Sequence, residues 1–232
     1  MDFKFTGEQI EEIVNWTLPG LTMYYRDSDL SPDIIDKYIE GEIFRSATFV
    51  DVSNFAGRLT KSCRFIFATN KAAPLHLINP DTDKWKLHTI NSNSYFKVLD
   101  VYKKGDRTQI FLLHIPAKGV DFFRNTVLKL SGNNLQEQLI NKARKSLDQK
   151  MEMAPVDVLE EAEWVQRTAF PIGLDVNNQF FSIDPTEELY PPAVPLYNAI
   201  FKMTKDTALN VPDIVKPEEP KDKGGFWKRL FK

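Results

Sequence analysis

Three histidines, one cysteine and a few carboxylates are the side chains of this sequence whose types suggest chemistry. The histidines are His76, His88 and His114. Three imidazoles suit a zinc ion with one open position. None of the three has the close ligand spacing of a metal-binding sequence, and the expectation is that they are half-exposed strand residues holding no metal. Asp51 adds a carboxylate to the same stretch. With His76, His88 or His114 it is the set available to an enzyme or small-ligand binder whose pocket lies between sheet and helices.

Cys63 stands close to Lys61 and Arg64, cations that favour a thiolate. It is also in register with Phe65 and Phe67, so a buried, inert thiol is expected. Asn79, Asp81 and Asp83 alternate as in a calcium loop, but Lys84 and Trp85 follow where that loop needs a glycine and a distal glutamate. A turn braced by Asn and Asp side chains is expected instead. Glu160, Glu161 and Glu163, and Lys142, Arg144 and Lys145, read as solvated helix faces. Tyr24-Tyr25-Arg26 and Tyr190-Pro191-Pro192 suit either a pocket lining or loop anchors, the second being the commoner use. No glycine-rich phosphate loop, nucleophile elbow or paired histidine on a helix occurs. No catalytic residue and no cofactor is assigned.

The elements that must position these groups follow from periodicity. Thr6-Gly7-Glu8-Gln9 has capping-box spacing ahead of Ile10, Ile13 and Val14 on one helical face. Ser31-Pro32-Asp33 opens a second helix, with Ile34, Ile35, Tyr38 and Ile39 as its apolar face. The pattern then turns to alternation. Cys63, Phe65, Phe67 and Thr69 face one way, and Arg64, Ile66 and Ala68 the other. Ala47–Val52, Leu75–Ile78 and Trp85–Ile90 also read as strands. Tyr95–Ile115 reads as a hairpin turning at Lys103-Lys104-Gly105-Asp106. Helical period returns with Leu135, Leu139, Ala143 and Leu147. It recurs after Pro155 with Val158, Leu159, Ala162 and Val165, and over Pro195–Met203. Gln179–Ile183 is a late strand.

Helices, then strands, then helices imply an α+β fold: a mostly antiparallel, meandering sheet flanked by N-terminal and C-terminal helices. The expected division is one domain over 1–210, sheet-rich at 43–118 and helical at 120–205. A Pro- and charge-rich linker and an extended C-terminal tail occupy 211–232.

The tail ends in Phe226-Trp227-Lys228-Arg229-Leu230-Phe231-Lys232. On a helix, Phe226, Trp227, Leu230 and Phe231 share one face, and Lys228, Arg229 and Lys232 the other. This is the pattern of a tethered docking peptide for a partner groove or an anionic membrane surface.

The chain has 232 residues, 42% hydrophobic and 27% charged, with a formal net charge of -2. That composition suits a globular body and excludes extensive disorder. The near-neutral charge gives no reason to expect nucleic-acid binding. One cysteine, no secretory leader and no long apolar run point to the cytoplasm. The leading expectation from sequence is a non-enzymatic interaction or adaptor module that docks through residues 224–232. The alternatives are the enzyme or ligand binder named above, and a peripheral membrane protein held by the tail.

Overall fold

A computed structural model describes residues 5–125, 129–130, 133–184 and 189–204. The expectations for 211–232, including Phe226, Trp227, Lys228, Arg229, Leu230 and Phe231, lie outside the described residues. The elements run α1 (Gly7–Thr17), β1 (Thr22–Ser28), α2 (Pro32–Ile35), β2 (Ile43–Ser46), β3 (Val50–Ser53), β4 (Cys63–Thr69), β5 (Ala72–Ala73) and β6 (Leu87–Ile90). They continue with β7 (Ser94–Lys104), β8 (Arg107–Ile115), α3 (Val120–Asn125), β9 (Lys129–Leu130), β10 (Asn133–Asn134), α4 (Leu135–Met151), α5 (Ala162–Arg167) and α6 (Val194–Thr204). The fold is mixed α+β. No helix among the described residues is long and apolar enough to cross a membrane.

Eight strands form one sheet in the order β2-β7-β8-β4-β1-β3-β6-β5, and β9 pairs with β10 in a separate two-stranded ribbon. Every pairing in the large sheet is antiparallel except β4 with β8. The meander is therefore corrected. Only β5–β6 and the β7–β8 hairpin join neighbours in sequence, while β1 inserts between β3 and β4. The cause is burial of the central strands on both faces. All seven residues of β4 are buried, as a strand covered on two sides requires.

One face carries Cys63, Phe65, Phe67, Val98, Ile110 and Leu112, packed under Ile34, Ile35 and Tyr38 and against Ile172 and Leu174. The other carries Ile66, Ala68, Leu99, Phe111 and Leu113, covered by Ile13 of α1, Val120 and Phe123 of α3, and Ala143 of α4. Phe65, Phe67, Val98, Phe111 and Leu113 are fully buried, as the alternation requires.

Local chemistry sets the ends of the elements. Thr6 Oγ1 accepts from Gln9 N at 3.2 Å, and Gln9 Oε1 accepts from Thr6 N at 2.9 Å, completing the capping box of α1. Gly105 turns the hairpin at φ 63°. Leu75–Ile78 is not a strand. Leu75–Leu77 and Pro80–Trp85 form two short 3-10 turns, because Pro74 and Pro80 withdraw donors and Asn79 Oδ1 accepts from Asp81 N. The helix expected after Pro155 is split into a 3-10 turn at Asp157–Leu159 and α5. The late strand reduces to isolated bridges, Arg45 with Phe181 and Leu174 with Phe180.

Candidate functional site

After α5 the chain runs through 168–181 without regular secondary structure, yet it is fixed against the sheet by long-range hydrogen bonds. Ser28 Oγ donates to Thr168 O at 2.7 Å, and Arg26 Nη2 to Phe170 O at 2.8 Å. Tyr38 Oη donates to Ile172 O at 2.8 Å and accepts from Ile172 N at 2.9 Å. Gly173 allows the closest approach: its φ is +77°, and a Cβ there would sit 2.4 Å from Phe44 Cδ2.

Between this wall and β1, β2 and β3 lies a pocket of about 650 Å³. Arg26, Ser46, Thr48, Phe49, Val50 and Asp51 line the sheet side, and Arg167, Phe170, Leu174, Asp175 and Phe181 are among the groups opposite. Its size and its mixture of aromatic and charged groups are those of a small-molecule site. A second cavity of about 260 Å³ adjoins it and shares Thr48 and Phe49.

Arg26 is the unusual member. It is 5% exposed. Its Nη2 meets the Phe170 carbonyl, its Nη1 lies 3.5 Å from Asp51 O, and its Nε is buried with no partner among the described residues. Burial pushes its pKa down to about 10, against the opposing pull of Asp51, so it remains a cation at neutral pH. The Asp51 carboxylate is engaged elsewhere. Oδ1 accepts from Thr89 Oγ1 at 2.5 Å and Oδ2 from Arg167 Nη1 at 2.7 Å. Asp175 accepts from the backbone of Asn177 and Gln179, which holds its carboxyl below the ordinary range.

Both carboxylates of the pocket are thus engaged by donors, and no histidine among the described residues lines it. Such a site is equipped to bind and to stabilise negative charge rather than to shuttle protons.

The structure places Asp51 in the pocket and the three histidines outside it. His76 and His88 are neighbours, with ring centroids 5.0 Å apart. His114 is on β8, four strand positions from β6, about 19 Å at the usual spacing. It is buried between Trp16 and Phe96, and its Nδ1 lies 2.9 Å from Thr69 Oγ1. The expectation of half-exposed histidines fails for His88 and His114, which are 8% and 1% exposed.

Cys63 is buried and its Sγ donates to Ser28 O at 3.3 Å. Burial and nearby Asp27 push the thiol up to about 12, so it is unreactive. The charge runs lie largely in solvent as expected, and exposed Arg144 also forms two hydrogen bonds to buried Asp100, at 2.6 and 2.8 Å. Sequence reasoning missed Arg167 and gave Arg26 only within Tyr24-Tyr25-Arg26, as a loop anchor or pocket lining; these three lie in β1, not in a loop, and Arg26 lines the pocket. A signal for Arg26 was present. Alternation from Tyr24 puts Arg26 on the same strand face as Tyr24, where Tyr24 packs against the core, and a charge at that register needs a reason.

No family model and no curated protein sequence matches the chain. Solved structures match over part of it. Exoenzyme S from Pseudomonas aeruginosa, in complex with human 14-3-3 protein beta and carba-NAD, is 14% identical, with 53% of this chain and 58% of that chain covered and a TM-score of 0.38. The type III effector XopAI from Xanthomonas axonopodis pv. citri is 14% identical over 44% of this chain and 46% of that one, with a TM-score of 0.36. The ADP-ribosyltransferase Vis from Vibrio splendidus is 15% identical over 50% and 57%, with a TM-score of 0.36. The chain spans about half the length of the structures it matches, and overlap of this size assigns it neither activity nor ligand.

The expectation of a non-enzymatic adaptor docking through residues 224–232 is nonetheless corrected. The described body holds a ligand-sized pocket, which a module docking only through a terminal peptide does not call for. The alternative from sequence, an enzyme or small-ligand binder with a pocket between sheet and helices using His76, His88, His114 or Asp51, is the better reading, although the pocket lies mainly against the irregular segment 170–181 and takes Asp51 but none of the histidines.

Proposed function

We propose that the chain is a small-ligand-binding protein, of an enzyme-like rather than adaptor type, and that the pocket between β1–β3 and residues 167–181 takes a phosphoester with an aromatic portion. The observation that carries this is Arg26: a buried cation lining the pocket, with carbonyl partners and an Asp51 carboxylate committed to Arg167 and Thr89. Guanidinium groups match phosphate oxygens in planar, two-pronged geometry, and the match strengthens where water is excluded. Arg167, more open than Arg26, supplies a second cation at the mouth. Phe49, Phe170 and Phe181 supply flat apolar surface for a base or ring.

In this reading the body is 1–210 and the segment 211–232, marked off by Pro212, Pro217, Pro220 and dense charge, is an appendage. Calorimetric titration with NAD, ADP, adenosine and inorganic phosphate tests it. NAD belongs in the set because its carba analogue is bound in the exoenzyme S structure. The expected result is saturable binding of the phosphate-bearing nucleotides, weaker binding of phosphate alone and least of adenosine, with Arg167→Met reducing nucleotide affinity. Binding of none of the four, or binding indifferent to Arg167→Met, overturns the proposal.

A further inference from the structure

His76, in the turn after β5, and His88, in β6, stand ring to ring at 5.0 Å with an angle of 54° between their planes. Each Nδ1 contacts a backbone carbonyl: His76 to Leu87 O at 3.1 Å, His88 to Lys86 O at 2.8 Å. A carbonyl only accepts, so both Nδ1 atoms carry the proton, and in the neutral rings both lone pairs lie on Nε2. Neither residue makes another hydrogen bond among the described residues.

This is how metal-binding histidines are prepared: the distal nitrogen donates to a carbonyl, which fixes the tautomer and the ring while the other nitrogen waits for the ion. The spacing also fits. A tetrahedral ion about 2.0–2.1 Å from each Nε2 sets two ring centres about 5 Å apart. Tyr24 lies against His88 at 4.7 Å and closes one side.

We infer that His76 and His88 form a two-histidine site for a borderline-soft divalent ion of the zinc class. No third His, Cys, Asp or Glu among the described residues joins them. The remaining coordination positions therefore go to water or to an exogenous ligand, and the site is open rather than closed and structural. Imidazole pairs select zinc, nickel and copper over magnesium and calcium. The inference is independent of the phosphoester pocket, because neither histidine lines it.

The test uses the full chain without a polyhistidine tag. Calorimetry is expected to show one Zn²⁺ per chain and no comparable Mg²⁺ binding. Cu²⁺ bound at one equivalent is expected to show two nitrogen ligands by electron paramagnetic resonance. His76→Gln, at a half-exposed position, is expected to lower Zn²⁺ affinity at least ~10-fold and to leave one nitrogen on copper. His88→Gln is expected to do the same, with circular dichroism checking the fold. Absence of one-to-one Zn²⁺ binding, equal affinity for Mg²⁺, or a site that survives His76→Gln overturns the inference. Nucleotide binding unchanged by His76→Gln keeps this result separate from the fate of the pocket.

Discussion

Arg26 and Arg64 are buried guanidiniums on adjacent strands, and they are used differently. Arg64, on β4, is 1% exposed and sits across from Asp27 of β1. It forms a two-pronged pair with that carboxylate at 2.6 and 2.7 Å and donates to Gly57 O at 3.0 Å. Arg26, one residue earlier on β1, lies on the opposite face and across from Phe65. Each leaves one nitrogen without a partner among the described residues, Nε in Arg26 and Nη1 in Arg64. An orphan nitrogen is therefore not what separates them. The carboxylate is. Cross-strand register gives Arg64 its counter-ion and gives Arg26 an aromatic ring, and the proposed function assigns the charge of Arg26 to the ligand.

The largest effect expected from breaking this contrast is at the paired arginine. Asp27→Ala strands the Arg64 charge in the core, and losing one partner of a buried pair costs about 3–5 kcal/mol. Urea denaturation reads that loss, and any protein that remains folded is expected to bind nucleotide as before. Arg26→Met is expected to show the reverse. Removing its donors from Phe170 O costs stability on the order of 1–3 kcal/mol. Losing a charge-assisted contact weakens phosphoester binding by about 1.5–3 kcal/mol, or roughly 10–150-fold. If both variants lose stability equally and Arg26→Met keeps full affinity, the two arginines are both structural and the contrast fails.

A third buried base sharpens the contrast through pH. His114 is neutral in the fold because burial and nearby Lys71 push its pKa down to about 3. Its folded pKa lies below the unfolded value near 6.5, so its contribution to stability is complete above about 6.5 and is lost as pH falls toward 3. Equilibrium unfolding between pH 7 and 4 is expected to show a falling midpoint that is flattened in His114→Gln, whose amide does not titrate. The Arg26 charge, with its pKa at about 10, stays fixed across that window. An acid slope unchanged in that variant places the sensitive group elsewhere.

These three residues also mark what was legible in the sequence. Alternation over Cys63–Thr69 identified both faces of β4, and the turn at Gly105 identified the hairpin that anchors His114. Both are local patterns, set within one or two strands. Strand order is not local: nothing between β1 and β8 states that β4 pairs in parallel with β8 or that β1 lies beside β3 and β4. The pocket is less legible still. Its outer wall, 168–181, has no period to read, because it is held by Ser28, Arg26 and Tyr38 from more than 130 residues away. A charge at a core-facing strand position was the one readable sign, and it concerned Arg26 alone. Asp51 was found for its carboxylate, among histidines that the fold then distributed elsewhere.

The smallest expected effect tests the aromatic side of the pocket. Phe170 sits beside the carbonyl that Arg26 grips, and its own side chain points largely to solvent, 71% exposed. Little apolar area is lost from the core in Phe170→Ala, so its stability is expected to stay within about 0.5 kcal/mol of the parent. If the ring of a bound nucleotide stacks there, the variant loses about 0.5–1.5 kcal/mol of binding, roughly 2- to 13-fold. Inorganic phosphate has no ring to stack, so its affinity is expected to be unchanged. Parallel calorimetric titrations of the two ligands separate the roles. A drop for nucleotide alone assigns Phe170 to the ring and Arg26 to the phosphate. An equal drop for both means that removing the phenyl has moved the Phe170 carbonyl and with it Arg26, and the aromatic wall then serves the arginine rather than the ligand.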